Sequence, residues 1–448
     1  MDSKIRTFIF RNVKTSLGKK NLLFDIIFPV IEKGFKIIVG IIIVGLIAKH
    51  LGPNDYGKYV YYYSIIGLLG PISSLGIESY TVKFLVEKRY TEKEIIGASF
   101  FIRMISSTVI ILLSYIILSL LNIENINLHI LIISITFLYS FHYGNYLFQS
   151  LNKNKFTSAV NFSSFILISL IRVLFVIYQF DFKSFVYLVV LENFFLAALF
   201  VLTTKIKGSI GLFSLNFDWN IIKDLTLNSI PLGLSLISIM IYMKIDRFMI
   251  IGILDDKSLA NYDAAARISE TSYFIAAFIS QTFFPIIIRS HNKSNSEFKE
   301  ACKSLFSILI YVGIIIGMTL FFFSKFLILI IYGDDYSDAI SVLKIFSLNL
   351  VFAYLNYGNI KWFIATNRQT HAFYRSLLTM IFNVLGNFIL IPTFGIVGAA
   401  YATCISYTAG LFLSMYFSKA TRENFNYSIE SFNPIIAIRG LKRLAQNK

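Results

Sequence analysis

The chain has 448 residues, 56% of them hydrophobic and only 15% charged, with a formal net charge of +16. Soluble domains are about 45–50% apolar and about 25% charged, so this balance excludes an ordinary water-soluble protein. Apolar runs of roughly 20 residues, the length a helix needs to cross a bilayer core, recur along the chain. They are continuous rather than alternating, which excludes a strand barrel.

Taken in order, residues 1–20 are basic and polar and lack the form of a cleavable signal peptide. Ile5, Phe8, Ile9, Val13 and Leu17 fall near helical spacing among Lys4, Arg6, Arg11 and Lys14, which predicts an interfacial helix on an anionic leaflet. A disordered basic tail is the competing reading. Twelve spans are then predicted, over 24–48, 59–82, 95–121, 128–151, 156–180, 184–204, 225–253, 260–288, 304–331, 338–366, 370–391 and 395–418. The expected class is an all-α polytopic membrane protein with about 12 transmembrane helices in two pseudo-symmetric six-helix lobes. The expected domains are an N-lobe over 1–204, a linker over 205–224, a C-lobe over 225–418 and a basic tail over 419–448.

Lys and Arg sort sharply between the connections. The two tails and the even-numbered connections hold 27, with Arg375 at the start of the eleventh span counted among them; the odd-numbered connections hold 4. Such a bias puts both termini in the cytoplasm, and it explains the positive charge without nucleic acid. The linker and basic tail are then cytoplasmic. Cys302 and Cys404 read as small apolar helix residues, with neither metal spacing nor a disulfide framework.

A weak internal repeat is visible. Leu51-Gly52-Pro53-Asn54-Asp55-Tyr56-Gly57-Lys58-Tyr59 matches Leu254-Asp255-Asp256-Lys257-Ser258-Leu259-Ala260-Asn261-Tyr262 at an offset of 203 residues, and Pro29 and Pro231 sit about one offset apart. Six spans separate the copies, so both run the same way through the membrane. Gly52-Pro53 predicts a helix break. Tyr56, Tyr59, Tyr61, Tyr62 and Tyr63 are expected to form an aromatic belt at the outer interface, with sugar stacking as the alternative.

Four stretches carry a family resemblance: Leu51-Gly52-Pro53-x-x-Tyr56-Gly57-x-Tyr59; Ile245 to Ile250 leading to Asn261-Tyr262-x-Ala264-Ala265-x-Arg267-Ile268; Tyr332-Gly333-x-x-Tyr336; and Gly395-Ile396-x-Gly398-Ala399-Ala400-Tyr401-Ala402. On these the chain resembles the polysaccharide flippase family. These are the Wzx-type exporters of O-antigen and capsule units, within the superfamily that includes MATE drug exporters and the peptidoglycan lipid flippase. The resemblance implies two six-helix bundles with alternating access, a lipid-linked oligosaccharide as cargo, and a central cleft lined by spans one, two, seven and eight. It also implies a bacterial cytoplasmic membrane, with membrane lipids, a polysaccharide polymerase and glycosyltransferases as partners.

Charge inside a span needs a partner or a wet cavity. Arg172 with Glu192, and Glu78 with Arg103, are expected to be structural pairs. Spans one, seven and eight carry five cations, Lys33, Lys36, Lys244, Arg247 and Arg267, partly offset by Glu32, Asp246 and Glu270. The cations are the candidate contacts for a pyrophosphate head group, because guanidinium and ammonium groups suit phosphate oxygens. The three acids are candidates for cleft lining or coupling. Structural pairing and snorkelling is the competing reading. Lys325, Lys344 and Lys361 are expected to be structural. Asn349 with Asn356, and Asn383 with Asn387, share helix faces and are expected to bond across helices.

No phosphate-cradling glycine loop, metal-spaced cluster or nucleophile motif occurs, so neither a cofactor nor an enzyme activity is expected. The expectation is a flippase that moves a polyprenyl-pyrophosphate-linked oligosaccharide through a basic central cleft. A MATE-like drug or cation exporter is the alternative and calls for an acidic cavity. A membrane polysaccharide polymerase or ligase ranks below it, since such enzymes usually need a large external loop.

Overall fold

The computed structural model describes residues 19–208, 210–212 and 215–436, and side-chain surroundings from residue 32 onward except at 231, 232 and 235. The interfacial helix expected over residues 1–20 lies outside them almost entirely. So do the Pro29 and Pro231 side chains and the end of the basic tail.

Every regular element among the described residues is helical. In order they are α1 (Lys19–Ser74), α2 (Ile77–Glu87), α3 (Glu92–Leu120), α4 (Ile126–Ile133), α5 (Ile135–Leu138), α6 (Tyr143–Ser150), α7 (Asn154–Ile177), α8 (Phe182–Gly208), α9 (Trp219–Ile253), α10 (Asp256–His291), α11 (Asn295–Ile331), α12 (Ala339–Ala365), α13 (Gln369–Ser406), α14 (Ser414–Phe417) and α15 (Arg422–Glu430). A π-helical turn, Tyr407–Leu413, joins α13 to α14. Nine segments among the described residues are long and apolar enough to cross a membrane. Two of these are broken helices: Gly52 (φ 69°) interrupts α1 and Gly395 (φ 59°) interrupts α13. A left-handed backbone is cheap only for glycine, so the break expected at Gly52-Pro53 is there for a local reason. The seventh span is expected on the 35-residue α9.

Two spans differ from expectation. The second is interrupted at Leu75 and Gly76, both with positive φ, before α2 begins. The fourth is split into α4, α5, a 3-10 turn and α6. Neither break has a proline in it, so the apolar pattern runs through unmarked.

Packing divides the chain into two compact units. The first comprises the chain to Ile43, then Ile72–Phe180 and Ser184–Gly233; the second comprises Val44–Pro71, Asp181–Lys183 and the chain from Leu234. This division by packing is a different matter from the repeat-based lobes of 1–204 and 225–418.

The core of the first unit is built by Ile77, Phe84, Ile95, Ile96, Tyr143, Leu147 and Leu225. Two pairs inside it are those expected: Arg103 with Glu78 at 2.7 Å and Arg172 with Glu192 at 2.5 Å. The core of the second unit centres on Phe306, Leu309, Leu350, Tyr354, Trp362 and Phe363. Lys344 and Lys361 lie over Phe321 and Phe284, consistent with structural roles. The C-terminal α15 is fastened to α11, where Glu430 bonds Lys303 at 2.6 Å and Lys299 at 3.3 Å. Large apolar side chains stand fully out, including Phe322, Phe388 and Phe417. In water that surface would drive association, whereas in hydrocarbon it is solvated.

Candidate functional site

Three of the four motif stretches build one site within the second unit, and the fourth borders it. The Gly52 break turns α1 so that its continuation, carrying Tyr56, Tyr59 and Tyr63, runs beside α10. Gly57 then meets the Asp256 backbone so closely that a Cβ would overlap the Asp256 carbonyl. The two repeat copies therefore pack on each other. Asp255 starts α10 by accepting from the Ser258 amide at 2.7 Å. That bond to the ionised form lowers the Asp255 pKa.

At the centre lies Asp263. Its Oδ1 accepts from Arg247 Nε at 3.0 Å, and its Oδ2 accepts from Arg267 Nε at 2.5 Å and from the Tyr56 hydroxyl at 3.2 Å. Asp263, Arg267 and Glu270 are spaced four and three apart, so α10 presents them on one face. Lys244 and Arg247 answer from one face of α9. Arg247 is 3% exposed and spends all three nitrogens, on Asp263, on Glu270 at 3.1 Å and on the Met243 carbonyl at 3.3 Å. Lys244 reaches Glu270 at 3.5 Å. The Arg267 guanidinium also lies 5.1 Å over the Tyr63 ring. Tyr332 and Tyr336 close the cluster around Tyr56, with the Tyr336 hydroxyl donating to the Ala48 carbonyl at 2.8 Å.

Asp246 points elsewhere. Its Oδ2 accepts from Tyr262 and from Thr403 (3.3 Å), while its Oδ1 is buried without a partner. Asn383 Nδ2 reaches Thr403 Oγ1 at 3.5 Å, and Asn387 Nδ2 donates to Asn383 Oδ1 at 3.0 Å. The amides of the eleventh span thus bond both within their helix and to the next segment. Thr403 directly follows the Gly395 to Ala402 stretch, whose Ala399, Ala400 and Ala402 are fully buried. A cavity of about 30 Å³, space for one or two waters, is lined by Asp246, Glu270, Tyr262, Tyr273 and Thr403 among others.

Several expectations change. Asp263, the unassigned position in the Asn261-Tyr262-x-Ala264 stretch, is the main partner of Arg247 and Arg267; Asp246 does not take that role. With it counted, the three cations Lys244, Arg247 and Arg267 are matched in number by Asp246, Asp263 and Glu270, and they pair with the last two, so this part is charge-balanced rather than basic. Tyr56, Tyr59 and Tyr62 are 0%, 4% and 6% exposed, so they are not an interfacial belt; Tyr63 alone of that set is well exposed. Arg375, counted with a connection, is a buried residue of α13. In the first unit Glu32 is buried and pairs with Lys36 at 2.7 Å, and Lys33 is exposed with no ion pair among the described residues. No group of His, Cys, Asp and Glu among the described residues could hold a metal.

The comparisons with known proteins bear on this arrangement. A family described as "Polysaccharide biosynthesis protein" matches residues 22–291, and one described as "MatE" matches residues 231–389. The chain is 25% identical over 202 residues to the capsular polysaccharide biosynthesis protein CapF of Staphylococcus aureus, covering 44% of this chain and 50% of that one. It is 26% identical over 185 residues to the probable low-salt glycan biosynthesis flippase Agl15 of Haloferax volcanii, covering 40% and 39%. These matches span half or less of the relatives' length. In fold, the chain is similar to the lipid II flippase MurJ in an inward closed conformation, with a TM-score of 0.70, 16% identity and 90% of each chain covered.

Proposed function

The chain belongs to the polysaccharide biosynthesis protein family, and on that premise we propose that it is a flippase for a polyprenyl-pyrophosphate-linked oligosaccharide. It works by alternating access, carrying an O-antigen or capsule repeat unit from the cytoplasmic to the outer leaflet of a bacterial cytoplasmic membrane. The observation that carries this reading is the family match across residues 22–291, the stretch that also supplies all six charged residues of the second-unit cluster. The names of CapF and Agl15 point the same way. Glycosyltransferases supply such a cargo and a polymerase consumes it.

The chemistry assigns different roles to the cations. Lys244 and Arg267 are partly open, at 24% and 22% exposure, and are the head-group contacts in this unit. Arg267 can leave Asp263 for a phosphate oxygen without stranding a buried charge, since Asp263 keeps Arg247 and Tyr56. Arg247 has no free nitrogen and is a positioning residue. Lys33 and Lys36 are the contacts from span one. The test replaces Lys36 and Arg267 together by Gln. Surface glycan is expected to disappear while the protein still inserts; normal export from an inserted double variant contradicts the reading.

A second reading, export of a cationic drug, draws on the MatE match and on the carboxylates of the small cavity. At about 30 Å³ that cavity admits water or a small ion and no drug. Asp246 and Glu270 suit coupling to a proton or small cation better than drug binding. Glu32, held by Lys36, is a weaker coupling candidate. Drug-resistance assays in a sensitive host separate the two readings.

A further inference from the structure

Arg375 lies near the start of α13, away from the cluster around Asp263, and is 5% exposed. Among the described residues no carboxylate pairs with it. Its Nη2 donates to Asn356 Oδ1 at 2.8 Å and its Nη1 to the Leu411 carbonyl at 3.2 Å, with Met415 Sδ at 4.0 Å. The guanidinium sits 4.8 Å over the Phe363 ring, and Nε has no partner at all. Among the described residues, the other two arginines buried this deeply, Arg103 and Arg247, each have an acid. An uncompensated guanidinium inside a membrane-spanning helix costs several kcal/mol. A charge kept on those terms calls for an anion from outside the chain.

The space for one is adjacent. A cavity of about 240 Å³ is lined by Arg375, His371, Tyr374, Ser418 and Thr421 among others. The Thr421 hydroxyl spends its hydrogen on the Met415 carbonyl, so His371 and Ser418 are the donors left for a ligand, beside the positive charge of the Arg375 guanidinium. The local backbone is built for this. The π-helical turn at Tyr407–Leu413 brings the Leu411 carbonyl onto the guanidinium, and such turns gather at functional sites. From the mouth of the cavity, Tyr374, Leu378, Phe382, Leu385 and Phe388 form an exposed apolar stripe up one face of α13. A hydrocarbon tail attached to the bound anion would lie along it.

We propose that the Arg375 cavity binds a phosphoryl group. A phosphate brings negative charge to the acid-free Arg375 guanidinium at the cavity wall and several acceptor oxygens to the imidazole and the hydroxyl. It reaches the cavity either as the head group of an anionic phospholipid, with its tail on the α13 stripe, or as free phosphate.

The test uses the full-length protein in detergent and follows its unfolding temperature during titration with phosphatidylglycerol or with inorganic phosphate. The wild type is expected to be stabilised saturably. In Arg375→Gln the apparent affinity should fall about tenfold or more, the loss of one charge-assisted contact. A response to phosphatidylglycerol alone assigns the lipid, and a response to phosphate alone assigns the free ion. No response, or an equal response in Arg375→Gln, overturns the proposal. Should Arg375→Gln not fold, Ser418→Phe fills the cavity and leaves the guanidinium in place; it too must lose the response, and its keeping the response overturns the proposal.

Discussion

Asp263 and Asp246 sit in one helical cluster and answer substitution in opposite ways. Asp263 receives three donors from two arginines and a tyrosine, and its side chain is 2% exposed. Asp263→Asn leaves Arg247 and Arg267 facing a neutral group, and breaking a buried pair costs about 3–5 kcal/mol. A large fall in the unfolding temperature of the detergent-solubilised protein is the expected result; an unchanged temperature contradicts the pairing. Asp246 has one oxygen bonded and one empty. An amide fits there with its carbonyl toward Tyr262 and Thr403, so Asp246→Asn should change stability by only about 1 kcal/mol. On the proposal that Asp246 couples transport to an ion gradient, the variant no longer responds to an imposed gradient, which a gradient-jump assay in vesicles reads; a retained response removes Asp246 as the coupling acid. This contrast was only half legible. The charged residue types pointed to spans one, seven and eight, and Glu32 and Lys36, four residues apart, do pair. Asp263 went unassigned although it stands four residues before Arg267, a spacing that pairs on any helix. It lay inside a motif read for its small residues, and without it the cluster looked basic.

At the scale of elements, glycines decide where helices break and where they touch. Gly52 breaks α1, and Gly57, one turn later, lets the continuation approach α10 to backbone contact. A side chain at Gly57 has no room, because the obstacle is the Asp256 backbone rather than a movable side chain. Gly57→Val is therefore expected to destabilise the second unit by about 1–3 kcal/mol or more, and to pull Tyr56 off Asp263. A fall in unfolding temperature with loss of transport checks this; a variant of normal stability and activity contradicts the packing. The break at Gly52 was readable, since Pro53 follows it; at Gly395 only the boundary between the eleventh and twelfth spans was placed nearby. The break at Leu75-Gly76 was hidden, because a single glycine in an apolar run does not by itself end a helix. The tyrosine run after Gly57 misled for a related reason. Period and composition suit an interface, but burial depends on which element covers that face, and Tyr332 and Tyr336 cover it.

The whole molecule follows from one constraint: apolar helices in lipid expose hydrocarbon freely, while every internal charge must be answered. Several of the charges inside its spans are answered by its own acids. Arg247 and Arg267 share Asp263, Lys244 takes Glu270, and Arg172 takes Glu192. Lys33, Lys36, Lys244 and Arg267 are more open than Arg247, and on the proposed function they are the residues that meet an anionic head group. The membrane-spanning class, its helical architecture and its family were legible, since they rest on run length, charge sorting and motif residues. The charge balance was not, because it depends on side chains that meet only after folding. The central claim is that the protein carries a lipid-linked oligosaccharide across the bilayer. The most direct test reconstitutes it into vesicles whose inner leaflet alone holds a fluorescent polyprenyl-pyrophosphate oligosaccharide, and counts label reaching an external lectin. The account predicts transfer by the wild type and transfer reduced to the protein-free level in Lys36→Gln/Arg267→Gln. Equal exposure of label with and without the wild-type protein would contradict it.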